Sequence, residues 1–273
     1  RMSYVSLSPE EFVKQSVNIV ERAQNNGIIL RILGALAIYI RTEGYQEARR
    51  IYEVIPRFGE GKPLFTDLDL MAYSSQRSDI IKFFQDLGFK PLLNPLYSYK
   101  RLIYDTPERY FHIDIFFDKL EFSHDVNFGS KPGKGRLDLD FPTITVTDLV
   151  LEKLQIHQIN MKDIVDLMVL FRAYDISMQF NKNVIDASYI ASILSDDWGF
   201  WFDVTNNLNK VKQFTDKFYS DGKLYDKDRT VIMDRIDKLL KIIEETPKTK
   251  KWIKRSKEGT SKPWYREVEE VER

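Results

Sequence analysis

The chain has 273 residues, 43% of them hydrophobic and 30% charged, which suits a water-soluble protein with enough length for two cored domains. It has no cysteine, so disulfides, thiolate metal sites and cysteine nucleophiles are excluded. Its 41 basic side chains are matched by 41 acidic ones, so no global field draws it to nucleic acid or an anionic membrane, and a polyanion contact must use a local patch.

Residues 1–11 lack the apolar stretch of a signal peptide, and the longest apolar run, 28–40, is broken by Arg31 and is too short to span a bilayer. The expectation is a soluble, cytoplasmic protein. Ser8-Pro9-Glu10-Glu11 opens a helix: a hydroxyl cap, proline in the first turn, then acids over the positive end of the dipole. Asn25-Asn26-Gly27 stops it. A short apolar run over 28–33 ends at Gly34, and 35–40 reads as a buried helix. A further helix is expected over 45–55, followed by a Gly/Pro loop over 56–63. Residues 65–72 alternate as a strand. Ile80, Phe83, Phe84 and Leu87 mark an amphipathic helix over 78–87, ended by Gly88. Strands are expected over 97–104 and 109–117 around the turn Asp105-Thr106-Pro107-Glu108, and shorter ones over 121–128 and 136–140. From Thr147 onward the pattern predicts helices only: 148–159, 161–173, 187–194, 202–218 and 226–245. The fold class is therefore α+β. A mixed-sheet domain covers 1–145, and an all-helical domain covers 146–273, ending in a basic, aromatic arm.

Two segments carry candidate chemistry. In Thr66-Asp67-Leu68-Asp69-Leu70, strand alternation turns both carboxylates to one face and both leucines to the other. Two like charges so close call for a cation, and hard oxygen donors suit Mg²⁺ or Mn²⁺, which share their shell with substrate phosphates. In Tyr110-Phe111-His112-Ile113-Asp114-Ile115-Phe116-Phe117, Asp114 shares a face with His112 and Phe116, and so apolar a strand demands a partner for it. If the two strands pair, Asp67, Asp69 and Asp114 converge as metal ligands. Taken singly, the D-x-D also fits solvent-facing acids, and Asp114 also fits a buried hydrogen-bonded acid. His112, His124 and His157 show no ligand spacing.

In order and context these segments resemble the nucleotidyltransferase superfamily, with its polymerase-β-like fold: an apolar run ending in glycine, a helix, a D-x-D strand, then a strand with a third Asp. The matching residues are Ile32-Leu33-Gly34-Ala35-Leu36-Ala37, Thr66-Asp67-Leu68-Asp69 and His112-Ile113-Asp114-Ile115. The chain is more specifically similar to the AbiEii-type branch. Leu149 leads to Lys153-Leu154, and Lys162-Asp163 follows, with nine residues between Lys153 and Asp163. The resemblance spans about residues 28–172. It implies a metal-dependent enzyme that transfers NMP from an NTP to a hydroxyl acceptor, RNA or protein, releasing pyrophosphate. Asp67, Asp69 and Asp114 would hold metal, Gly34, Ala35 and Lys153 would meet the nucleotide, and Lys153 and Asp163 would flank the catalytic centre. It further implies a toxin or phage-defence role with an antitoxin-like partner. Two departures stand out: Ala35 replaces the family serine, and an extra helix lengthens the Gly34–Asp67 interval. Without the resemblance, Lys153 also fits a lysine stretched along a helix face, and Asp163 a capping acid.

The basic run 248–257, with Trp252 inside it and Trp264-Tyr265-Arg266 after it, fits RNA phosphates and bases. It equally fits an arm anchored on the body that pairs with Glu267 to Glu270. Trp198 and Trp201 fit core or interface packing. The competing functions are a nucleotide- or RNA-binding module without turnover, and a structural assembly protein.

Overall fold

The structure, a computed structural model, describes residues 6–96, 98 and 100–268. Its contacts divide the chain into two units. The first comprises the described residues of Arg1–Arg41, Gly61–Leu120 and Asn127–Thr145. The second comprises Thr42–Glu60, Glu121–Val126 and those of Val146–Arg273. No helix among the described residues is long and apolar enough to cross a membrane.

The first unit is built on a five-stranded mixed sheet. Helix α1 (Pro9–Asn25) starts where Ser8 accepts the Glu11 N–H at 3.2 Å. Strand β1 (Leu30–Leu33) runs directly into helix α2 (Gly34–Arg41). Helix α3 (Gln46–Val54) follows and belongs to the second unit. The sheet resumes with β2 (Leu68–Ala72). Helix α4 (Arg77–Asp86), β3 (Lys90–Pro91), β4 (Arg101–Asp105) and β5 (His112–Phe117) complete it, in the order β1-β2-β5-β4-β3. β2 and β5 are parallel, and the other neighbours antiparallel. The outer edge of β1 is covered by residues 142–144: Ile32 donates to the Pro142 carbonyl at 2.9 Å and accepts from Ile144 at 3.0 Å.

Register sorts the sheet into two faces. Leu30, Ile32, Leu68, Leu70, Leu102, Tyr104, Ile113 and Ile115 align on one, all buried. Phe84 of α4 stacks on Tyr104 at 4.7 Å. Phe12 of α1 packs on Phe111 and Phe65 at 4.5 and 5.1 Å. Asp69, Asp114 and Arg101 align on the other face. Arg31, which breaks the apolar run of β1, is buried but satisfied. Its Nε donates to the Asp140 carbonyl at 2.6 Å, and its guanidinium lies 4.9 Å from the Phe141 ring. Burial lowers its pKa, with Tyr73, Asp138 and Asp140 opposing.

Short strands β6 (Lys119–Glu121) and β7 (Asp125–Asn127) form a separate ribbon where one strand over 121–128 was expected. The strand expected over 136–140 is instead a 3₁₀ turn, Arg136–Leu139. There Tyr73 Oη accepts the Leu137 N–H at 2.9 Å, a side-chain partner that replaces a ladder.

The second unit packs α3 with α5 (Val146–Leu154) and α6 (Met161–Ala173), then α7 (Ala187–Leu194), α8 (Trp198–Ser220), α9 (Asp226–Glu245) and α10 (Lys250–Ser256). α6 is buried from Asp163 to Phe171 and lies against α3, α5, α8 and α9. Helical expectation meets one correction. β8 (Asp175–Ser177) and β9 (Val184–Asp186) pair in parallel, so the second half is not all helical. Three residues each are too few for alternation to register in sequence, and the pair holds because Ile176 and Ile185 are buried. α5 also ends at Leu154, short of the expected 159, and α8 starts at Trp198, four residues early, because Asp197 caps it through the Phe200 N–H at 3.1 Å.

Candidate functional site

In the first unit the site lies on the polar face of the sheet. Leu33, Asp69, Asp114 and Ile103 form one continuous register row across β1, β2, β5 and β4. Asp69 and Asp114 are direct partners on parallel strands, so their side chains share a face on backbones about 4.8 Å apart. The row begins at Leu33, and the next residue, Gly34, opens α2 with φ of +74°, a conformation glycine adopts without strain. The start of α2 and the two carboxylates thus occupy the same end of the sheet. Ala35 is the second residue of α2.

Asp67 sits one residue ahead of β2 rather than within it, and accepts the Thr66 hydroxyl at 3.2 Å. Asp69 is half-buried and Asp114 buried. Asp114 has a partner that the sequence did not reveal. Arg101 Nε and one terminal guanidinium nitrogen reach its Oδ1 and Oδ2, each at 2.5 Å. The hydrogen bond to Asp114 raises the Arg101 pKa against the opposing effect of burial, and the charges of Asp114 and nearby Asp69 add to it. His112, on the same strand, pairs instead with Asp105 across β4, Nδ1 to Oδ1 at 2.9 Å.

Asp69 and Asp114 suit a hard divalent cation by donor chemistry. Mg²⁺ characteristically takes one or two carboxylates and completes its shell with water and substrate phosphate. Among the described residues no three His, Cys, Asp or Glu side chains are gathered as a ligand group.

Lys153 and Asp163 belong to the second unit, and there they are in contact. Lys153 Nζ lies 3.0 Å from Asp163 and 3.1 Å from Asp166. Asp166, fully buried, also accepts Tyr52 Oη at 2.8 Å and Arg57 Nε and a second guanidinium nitrogen at 2.7 and 2.9 Å. Burial alone would lower the Lys153 pKa; Asp163 and Asp166 overcome it and raise it. The ammonium is thereby charged and internally compensated. Tyr52 and Arg57 come from α3 and the chain just after it, so the helix that lengthens the Gly34–Asp67 interval supplies partners to α6. Asn160 caps α6 by accepting the Asp163 N–H at 3.4 Å. Lys153, Lys162, Asp163, His157 and Tyr265 are among the residues lining a cavity of about 620 Å³ in this unit.

The C-terminal arm docks within the second unit. Trp264 packs on Phe202 at 5.2 Å, Trp252 on Trp201 at 5.1 Å, and Tyr265 stacks on the His157 ring at 3.4 Å. Asp203 ties this seam together. It contacts His124 Nε2 at 2.6 Å and His157 Nδ1 at 3.0 Å, and accepts Trp264 Nε1 at 3.1 Å. Burial would raise the Asp203 carboxyl, but these hydrogen bonds outweigh it and hold it below the usual carboxylate value. Many of the arm's cations are already engaged. Lys248 donates to the carbonyls of Ile243 and Thr246, Arg255 lies 5.0 Å from the Trp198 ring, and Arg266 pairs with Asp125. Lys251 and Lys262 pair with Asp196 and Glu258. Glu269 and Glu270 lie outside the described residues. These contacts favour the anchored-arm alternative over a cationic strip open to RNA.

No protein-family model matches the sequence, and no curated protein matches it. A search of solved structures finds similarity to the antibiotic-resistance factor ANT(2'')-Ia, whose solution structure is described as showing substrate-regulated conformation dynamics. The identity is 12%, the TM-score 0.35, and the overlap covers 69% of this chain and 96% of that one. Values this low do not establish a common fold.

Proposed function

We propose that the sheet unit carries out metal-dependent nucleotidyl transfer from an NTP to a hydroxyl acceptor. The observation that supports this reading is the register row that aligns Asp69 with Asp114 and ends beside the glycine-opened start of α2. In the reaction, the acceptor oxygen forms a bond to the α-phosphorus, the bond to the pyrophosphate oxygen breaks, and pyrophosphate leaves. Asp69 and Asp114 would hold the divalent cation, with Asp67 at the mouth of the same strand. Once bound, the cation supplies neutralisation of the charge that builds on the transferring and leaving phosphates. Gly34 lets the backbone approach the phosphates, and the first N–H groups of α2 bind them. An Asp114 oxygen takes the acceptor's proton. Lys153 and Asp163 form a compensated pair that holds α5 against α6.

The acceptor is RNA or protein, and the toxin-type role with an antitoxin-like partner follows the sequence resemblance. A second reading, nucleotide binding without turnover, is favoured by one observation: both oxygens of Asp114 are already bonded to Arg101. Incubation with Mg²⁺ or Mn²⁺, each α-labelled NTP and total RNA separates the two. Label in RNA or protein supports transfer. NTP binding without label supports the second reading, and neither result sinks both.

A further inference from the structure

The Arg101–Asp114 fork occupies the same atoms that a cation would need. Both of its bonds are 2.5 Å, one to each carboxylate oxygen. The reach follows from register. Ile103 faces Asp114 and Arg101 faces Phe116, so Arg101 is the diagonal same-face neighbour of Asp114, a position that a long side chain can span. Its guanidinium lies 5.3 Å from the Phe116 ring. Exposure is lopsided: the Arg101 side chain is 29% exposed and that of Asp114 7%. The arginine has solvent to swing into, whereas the carboxylate is fixed in the sheet.

Asp69 raises the stakes at this point. Its charge acts on the same guanidinium, so Arg101 offsets part of the charge that a divalent cation would offset in full. A guanidinium and a metal ion cannot hold both oxygens of Asp114 at once. A triphosphate offers the displaced fork an equivalent partner, because planar paired donors match phosphate oxygens as well as carboxylate oxygens.

We propose that Arg101 is a built-in counter-ion that closes Asp114 to divalent cations in the nucleotide-free protein, and that it transfers to the phosphates when an NTP and a cation arrive together. The proposal rests on the nucleotidyl-transfer reading for the cation and the NTP, and it predicts a binding behaviour that this reading alone does not.

The test is Mn²⁺ binding to the full chain, followed by the loss of the free-ion electron paramagnetic resonance signal. Wild type, Arg101→Gln and Arg101→Gln/Asp114→Asn are compared with and without a non-hydrolysable NTP analogue. Arg101→Gln is expected to bind Mn²⁺ at least tenfold tighter than wild type without nucleotide. The gain should vanish in the double variant, and the gap should narrow when the analogue is present. Equal Mn²⁺ affinity in wild type and Arg101→Gln overturns the counter-ion proposal while leaving the cation site standing. A gap unchanged by the analogue overturns the transfer to phosphate. No Mn²⁺ binding by any variant overturns both the proposal and the reading beneath it. Should Arg101→Gln melt below the assay temperature, Arg101→Met carries the comparison, because it keeps an apolar stem beside Phe116 and drops the charge. A tightening of the same order then supports the proposal, and equal affinity overturns it.

Discussion

Asp69 and Asp114 face each other across the parallel strands β2 and β5, and Arg101 forks onto both oxygens of Asp114. Asp69→Asn removes a charge from the proposed cation site, so label transfer should fall at least 100-fold. Asp114→Asn leaves a half-buried guanidinium without its charge partner and should cost about 2 kcal/mol in addition. Chemical denaturation beside the transfer assay checks both. Wild-type transfer by Asp69→Asn would remove the row from the chemistry.

Much of this arrangement was legible in the sequence. The alternation around Leu68, Leu70, Ile113 and Ile115 announced two strands with one buried face, and the structure pairs them. Arg101 was not legible. Its bond to Asp114 depends on the β4–β5 register, and nothing in the local pattern fixes which residue stands diagonal to which. The helix over residues 46–54 was visible, but its allegiance was not. Tyr52 and Arg57 meet Asp166 across more than a hundred residues, a contact no local periodicity encodes. Asp203 was hidden for the same reason. The partners it gathers, His124, His157 and Trp264, are distant in sequence, so no ligand-like spacing could show them.

Asp166 is the hub of the buried network in the second unit, and Lys153 is one of its spokes. Asp166→Asn strips the charge that compensates Arg57 and Lys153, and should destabilise the protein by about 3–5 kcal/mol. Lys153→Met leaves Asp166 with Tyr52 and Arg57, and should cost less, about 1–3 kcal/mol. Urea denaturation monitored by circular dichroism ranks the two variants. An equal or larger loss for Lys153→Met would show that Asp163, not Asp166, is the carboxylate that matters.

The arm should loosen in acid. Because the Asp203 pKa is depressed in the folded state, its contribution is present above the ordinary carboxylate value of 3.8 and is lost as pH falls through the depressed value. Pepsin cleavage within residues 257–268 should therefore rise steeply at or below about pH 3.8. Asp203→Asn cannot accept from all three partners as a charge, so it should be cut readily across the whole range, with a flat profile. A wild-type profile that is equally flat would assign the seam to its aromatic packing alone.

The start of α2 offers the most direct probe of where phosphate binds. Gly34→Ala places a side chain at φ of +74°, which should cost about 1–2 kcal/mol of stability. On the proposed reading it also weakens NTP binding, because the backbone no longer comes as close to the phosphates. Ala35→Ser acts in the opposite direction. A hydroxyl at the second residue of α2 adds a donor where the first N–H groups already point, and one hydrogen bond to a charged phosphate is worth about 1.5 kcal/mol, roughly tenfold in affinity. Titration calorimetry with a non-hydrolysable NTP and Mg²⁺ measures both. Tightening by Ala35→Ser together with weakening by Gly34→Ala locates the phosphates at this helix start. If neither variant changes the affinity, the nucleotide binds elsewhere, and the row of Asp69 and Asp114 loses the neighbour that gives its position meaning.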